Sequence, residues 1–242
     1  MPLRQAIRQR QKHEFALPLG LALGFWTFFY KFVGDRCRTN GTAFFHAILV
    51  SPIMILSLMR LKHDRYWGES TVFDAVAVVV AGYFAWDLGI SILQYKEYGF
   101  SFLLHAVICL SCMMLHLLAK EMRTSWIIAG MIATECSTIF LHLRWFMIQA
   151  KLTHRLYFKI VNVLFMLTFA SYRMYYVAVI AIFPYTRHVL THKNFGLNRL
   201  DAFRIWYQMV TSWLWLGLQY YWGFALVRSQ LSQMTKRWKK RD

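Results

Sequence analysis

Long apolar runs separated by short polar connectors dominate the chain. Seven runs stand out, at 15–33, 42–61, 72–93, 100–118, 125–146, 157–183 and 205–227. A helix that crosses a bilayer needs about 20 mostly apolar residues. The pattern therefore predicts an all-α integral membrane protein with seven transmembrane helices. The fourth run is short, and the sixth is long enough to tilt. The connectors leave no room for a soluble domain. Pro52 and Pro184 are placed to kink or end helices. Trp67, Tyr95, Tyr98, Trp206 and Tyr207 fall near run ends, where amphipathic rings meet the headgroup layer. The basic stretch 1–14 before the first run resembles a signal sequence. The run is long and no small-residue cleavage site follows it, so a retained first helix is expected.

Composition agrees with a membrane protein. Charged residues are 16% of the chain and aromatic residues 18%, against about 25% charged in soluble proteins. A disordered chain, a disulfide-rich domain and an ordinary globular enzyme are all disfavoured. The formal charge of +17 sits between apolar runs, where it meets anionic headgroups rather than nucleic acid. Cys37, Cys109, Cys112 and Cys136 do not form a disulfide framework. Three of them lie inside runs, where cysteine is commonly a small buried hydrophobe.

Loop charge normally orients such a bundle, but here 13 Lys and Arg fall on each side. The C-terminal Lys239-Lys240-Arg241-Asp242 supplies the asymmetry. It resembles a cytosolic dilysine retrieval signal of endoplasmic reticulum membrane proteins, an address read by a coat protein. On this reading the protein is multi-pass in the endoplasmic reticulum membrane, with a cytosolic C-terminus and a lumenal N-terminus. The sequon Asn40-Gly41-Thr42 then faces the cytosol and stays unglycosylated.

Ionisable groups inside a bilayer are costly, and each is a functional candidate by default. They are His46, Asp74, Asp87, His105, His116, Glu135, His142, Arg144 and Arg173, with Asn162 as a polar companion. Asp74 and His116 lie near run ends. At 1.5 Å per residue, Asp87 and His105 lie about 9 and 8 Å from the short link joining their helices. They share a depth and are expected to face each other. His46, His142 and Asn162 lie about 6, 6 and 8 Å in from the same side. Glu135 is deeper, with fewer candidate partners. Three stripes at helical spacing follow: Ser101, His105, Cys109, Cys112 and His116; Glu135, Thr138 and His142; Asn162, Phe165, Phe169, Arg173 and Tyr176. Arg144 points away from Glu135. The polar groups thus predict an intramembrane pocket in the half nearer the C-terminal tail. Helix-to-helix polar contacts are the simpler alternative. No His-x-x-x-His pair lies inside a run, so no metal site is expected.

The segment from Thr134 to Phe146, TECSTIFLHLRWF, carries an E-x-S-T-x-F-L-x-x-R-W pattern. Ahead of it come Cys37 to Asn40 with Phe45-His46, then Gly82 to Leu88 (GYFAWDL), then Phe102 to His105 (FLLH). In this order the segments resemble the TLC-domain family, named for translocating-chain-associated, longevity-assurance and ceroid-lipofuscinosis proteins. The resemblance runs from about residue 37 to 230. It implies one N-terminal helix followed by a six-helix bundle. The expected organisation is then 1–36 as N-terminal tail and first helix, 37–230 as TLC domain and 231–242 as a basic cytosolic tail.

The family's ceramide synthases transfer an acyl group from coenzyme A to a sphingoid amine, and carry paired histidines. Here Ala106 follows His105, and the chain is more similar to the small TLC-domain-containing proteins linked to membrane lipid composition. Two readings stay open. In the first, the protein serves lipid homeostasis, binding or sensing a sphingolipid, phospholipid or acyl chain in its polar pocket without a cofactor. His46, Glu135, His142, Asn162 and Arg173 would contact that lipid. In the second, it is an acyltransferase acting on a lipid amine. His105 would be the base or acyl acceptor, Asp87 or Glu135 would orient it with His46 assisting, and acyl-CoA would be co-substrate, its phosphates drawn by Lys151 and Arg155. A cargo receptor or structural role without lipid chemistry is a third possibility, which the short loops disfavour.

Overall fold

The computed structural model describes residues 2–60, 71–118, 124–191 and 199–238. Among these, side chains are described for 16–59, 76–118, 124–191, 199–229 and 232. The side chain of Asp74, the loop holding Trp67, and Lys239 and Lys240 fall outside them.

The described residues are almost entirely helical. Helix α1 is Pro2–Phe32, and a short 3-10 turn, Asp35–Cys37, leads into α2, Arg38–Arg60. Helix α3 is Thr71–Leu93 and α4 is Tyr95–Leu118. Helices α5, Ser125–Ala133, and α6, Cys136–Gln149, follow one another across a turn at Thr134-Glu135. Helix α7, Leu156–Thr191, starts with α winding, switches to i→i+5 (π) winding over Phe169–Ile182, and ends as α. Helix α8 is Arg199–Trp238.

Five helical stretches are long and apolar enough to cross a membrane: Asp35–Met59, Val76–Leu93, Tyr95–Leu118, Ser125–Gln149 and Leu156–Thr191. They coincide with the second to sixth apolar runs. The first run appears as a shorter apolar helix, Ala16–Phe32. The seventh lies within α8, whose many Trp, Tyr and Gln residues make it less hydropathic than the others. Outward faces carry exposed Leu21, Phe28, Leu56, Leu167 and Phe224, the surface that lipid tails would cover.

Helix α5 is buried at every position, as its all-round apolar sequence demands. It packs against α2 and the π segment of α7, and less against α4. Helices α1, α3 and α4 form one flank, and α6, α7 and α8 the other. Gly82 allows the α1–α3 approach: a Cβ there would sit 2.6 Å from Ala22 Cβ and 2.9 Å from its backbone. Trp26, fully buried, locks this pair by donating its indole N–H to the Val79 carbonyl at 2.9 Å. Near its start α4 is kinked at Gly99, whose φ of 74° and ψ of −176° suit glycine alone.

Candidate functional site

The turn at Thr134-Glu135 sets the site. The Thr134 hydroxyl donates back to the Met131 carbonyl at 2.6 Å, and the Glu135 amide donates to Ile132 three residues back. This tightening ends α5 and turns the Glu135 side chain toward α7. There Arg173 meets it, with Nη2 3.5 Å from Oε1. Arg173 also donates from Nε to Ser137 Oγ at 2.7 Å, from Nη1 to Gln219 Oε1 at 3.0 Å and from Nη2 to Thr138 Oγ1 at 2.5 Å. Its guanidinium lies over the Phe169 ring. Side-chain exposures of 8% for Arg173 and 13% for Glu135 make this a nearly desolvated pair. Such a pair persists only where hydrogen bonds satisfy the remaining donors. The expectation that Glu135 has few partners is corrected here. Arg173 lies 38 residues away in sequence, and spacing along one helix does not reveal it.

Beside this network a narrow cavity opens between α3, α4, α5 and α8. His105, Cys109 and Cys112 on α4 line it together with Glu135. The rest of the lining is Phe84, Met113, Ile128, Met131, Ile132 and Trp215, and the surface is almost wholly apolar. Water-sized molecules can place their centres in about 20 Å³ of it, room for roughly one water without side-chain movement.

His105 sits against Cys109 one turn on, with Nε2 3.6 Å from Sγ. The Trp222 and Phe84 rings border its imidazole, at centroid distances of 5.4 and 6.4 Å. The α4 stripe faces α8: Cys112 Sγ lies 3.2 Å from Thr211 Oγ1, and the Trp222 indole donates to Ser101 Oγ at 3.3 Å.

The other candidates separate. Asp87 is half-buried on α3 and makes no hydrogen bond or ion pair among the described residues, so His105 takes Cys109 as its partner rather than Asp87. His46 is fully buried on α2. Its ring stacks on Tyr83 at 3.5 Å with an interplanar angle of 7°, and Trp26 meets it edge-on. Neither of its ring nitrogens has a hydrogen-bond partner among the described residues. His142 pairs through Nδ1 with Asn40 Oδ1 at 3.1 Å, and Arg144 Nε donates to Asn162 Oδ1 at 2.8 Å. His46, His142 and Asn162 therefore stand outside the cavity wall, whereas His105 and Glu135 line it and Arg173 braces it from behind.

Asn40 also bears on the sequon. Its amide oxygen is engaged by His142, and the Thr42 hydroxyl, fully buried, donates to the Arg38 carbonyl at 2.8 Å. In the folded bundle both polar side chains of the sequon are therefore engaged within the protein. Sequence reasoning missed Gln219 and Trp222. Both lie in the last helix, outside the stripes and motifs that the sequence singled out.

No solved structure matches the chain. The chain is similar to Topoisomerase I damage affected protein 4 of Saccharomyces cerevisiae (strain ATCC 204508 / S288c), 33% identical over 127 residues. That match covers 50% of this chain and 44% of the yeast protein, so the chain spans less than half of that relative's length. The family model described as the TLC domain matches residues 36–228, which include every residue that lines the cavity. The chain belongs to the TLC-domain family.

Proposed function

We propose that this protein serves membrane lipid homeostasis by binding or sensing a lipid in the cavity between α3, α4, α5 and α8. The observation that carries this is a cavity with an almost wholly apolar surface, suited to hydrocarbon, that has His105, Cys109, Cys112 and Glu135 among its lining residues, inside a bundle whose outer face is apolar. Sites of this make-up, mostly apolar with a few convergent polar groups, are the usual ones for small molecules. Methionines 113 and 131 give the wall the adaptability that entry of an acyl chain requires.

On this reading the protein is a multi-pass protein of the endoplasmic reticulum membrane. Ala16–Phe32 and α8 add two spans to the five longest, and the dilysine tail is cytosolic. Acyl transfer to a lipid amine is the second reading. The imidazole of His105 beside a thiol and a carboxylate on one cavity wall favours it, since acid–base work needs such a group at the reacting centre.

The test is lipid composition in cells lacking the protein, compared with rescue by wild type and by His105→Ala. The expected outcome is an altered lipid profile that wild type restores and His105→Ala does not. An unaltered profile, or equal rescue by the variant, would sink the cavity as the functional site.

A further inference from the structure

The hairpin of α6 and α7 carries a cationic edge that the cavity does not use. Between Glu135 and Asp201 the sequence has no acidic residue, so the hairpin brings no carboxylate of its own. Lys151, His154, Arg155 and Lys159 are all exposed along its loop and the first turn of α7. Lys151 ends α6 in a left-handed turn with a φ of 57°, closed by the Leu152 amide donating to the Met147 carbonyl at 2.9 Å. Glycine usually fills such a helix-ending position; here a lysine does.

Arg144 lies deeper. It is half-buried, five residues before the end of α6, which puts it about 7.5 Å below the loop. Its Nε donates to Asn162 Oδ1 of α7 at 2.8 Å, and this bond holds the guanidinium plane across the seam between the two helices. Among the described residues neither Nη has a hydrogen bond or an ion pair. An arginine at this depth turns its charged end toward the headgroup layer. Lys159 and Arg155 lie one and two turns nearer the loop, on the same side of α7 as Asn162. Deeper on the hairpin, Leu141, Val163 and Leu167 are exposed on the outer surface.

We propose that the α6–α7 hairpin holds the headgroup phosphate of one anionic glycerophospholipid, with the two Nη groups of Arg144 as a fork on its oxygens. Arginine suits this because its planar fork matches a phosphate bidentately. Lys151, Arg155 and Lys159 draw the negative headgroup from above, and the acyl tails run down over Leu141, Val163 and Leu167. Charge selects the lipid. A phosphatidylcholine brings its own ammonium against these cations, whereas an anionic headgroup does not. The site is separate from the cavity, and either can fail while the other stands.

The experiment titrates the full chain in detergent with palmitoyl-oleoyl phosphatidylglycerol or palmitoyl-oleoyl phosphatidylcholine, and counts bound lipid by native mass spectrometry. One phosphatidylglycerol should be retained per chain at ratios where phosphatidylcholine is not. Arg144→Gln should weaken its binding at least about tenfold, the scale of lost hydrogen bonds to a charged group. Arg144→Lys, which keeps the charge and loses the fork, should weaken it nearly as much. Arg187→Gln, exposed near the other end of α7, should bind like wild type. The Lys151→Gln/Lys159→Gln double variant alters only exposed side chains, so its fold is not at risk. It should also bind about tenfold more weakly, and it decides the matter if Arg144→Gln does not fold.

Equal retention of the two lipids would overturn the site. So would Arg144→Lys binding like wild type, which leaves only diffuse charge, or a loss in Arg187→Gln as large as in Arg144→Gln. Free glycerophosphoglycerol binding as tightly as the lipid would assign the hairpin to a soluble phosphate ester and overturn the membrane ligand.

Discussion

Arg173 and His46 are both basic side chains buried in the bundle, held in opposite ways. Arg173 draws acceptors from α6, α8 and the Thr134-Glu135 turn until each guanidinium nitrogen has a partner. His46 has rings around it and no hydrogen bond to either nitrogen among the described residues. A guanidinium has no accessible neutral form, so burial is tolerable only with a counter-charge and several acceptors. An imidazole has a neutral form and a flat face, so stacking against Tyr83 can hold it. The flank of α6, α7 and α8 is therefore fixed by charge and hydrogen bonds, and the flank of α1, α3 and α4, where α2 meets it, by aromatic packing. The cavity lies where the two flanks meet.

The largest effect should come from the charged flank. Arg173→Leu leaves Glu135 and Gln219 without their partner, and breaking a buried pair costs about 3–5 kcal/mol. The thermal unfolding midpoint in detergent should fall accordingly. Adding Glu135→Gln should recover part of the loss, because the stranded carboxylate is then removed. A midpoint equal to wild type in Arg173→Leu would mean that the network does not hold this flank together.

On the aromatic flank the corresponding weak point is steric. Gly82→Leu puts a side chain where Ala22 already sits, and overpacking costs about 1–3 kcal/mol. The expected outcome is a lower midpoint together with faster proteolysis of the α1 segment, as α1 leaves α3. If α1 stays protected, the helices are not docked through this contact.

A smaller change sharpens the contrast. His46→Phe keeps a flat ring on Tyr83 and adds no polar group, so stability should stay within about 1.5 kcal/mol of wild type. A loss as large as that of Arg173→Leu would show that an imidazole nitrogen of His46 is being used after all.

The smallest effect is expected at the sequon. Asn40→Ala removes one hydrogen bond to His142, worth about 0.5–1.5 kcal/mol. Endoglycosidase treatment should leave the mass of the wild-type protein from cells unchanged. A mass drop that Asn40→Ala abolishes would show that the Asn40–His142 contact opens during synthesis.

Some of this site could be read from the residues alone. The stripe from Ser101 to His116 on α4 does face one neighbour, because 3.6-residue periodicity records which side of a helix avoids lipid. Depth arithmetic put Asp87 and His105 at one level, but not their directions. His105 turned to Cys109 and Trp222, while Asp87 kept no polar partner among the described residues. Glu135 and Arg173 both appeared as costly groups, yet nothing local linked them. Their meeting depends on the turn after α5 and on the rotation of α7, whose π winding no periodicity rule would anticipate.

Sequence by itself determined that the chain is a membrane-type helical bundle, roughly where its helices begin and end, and which side chains are too polar to face lipid. These follow from one-dimensional quantities: run length, hydropathy and the cost of burying charge. Tertiary structure alone decided the pairings of Glu135 with Arg173, Asn40 with His142 and Arg144 with Asn162. A helix's periodicity specifies its buried face but not which helix covers it. That choice is made by packing, through close approaches such as Gly82 against Ala22, once all the helices are in place.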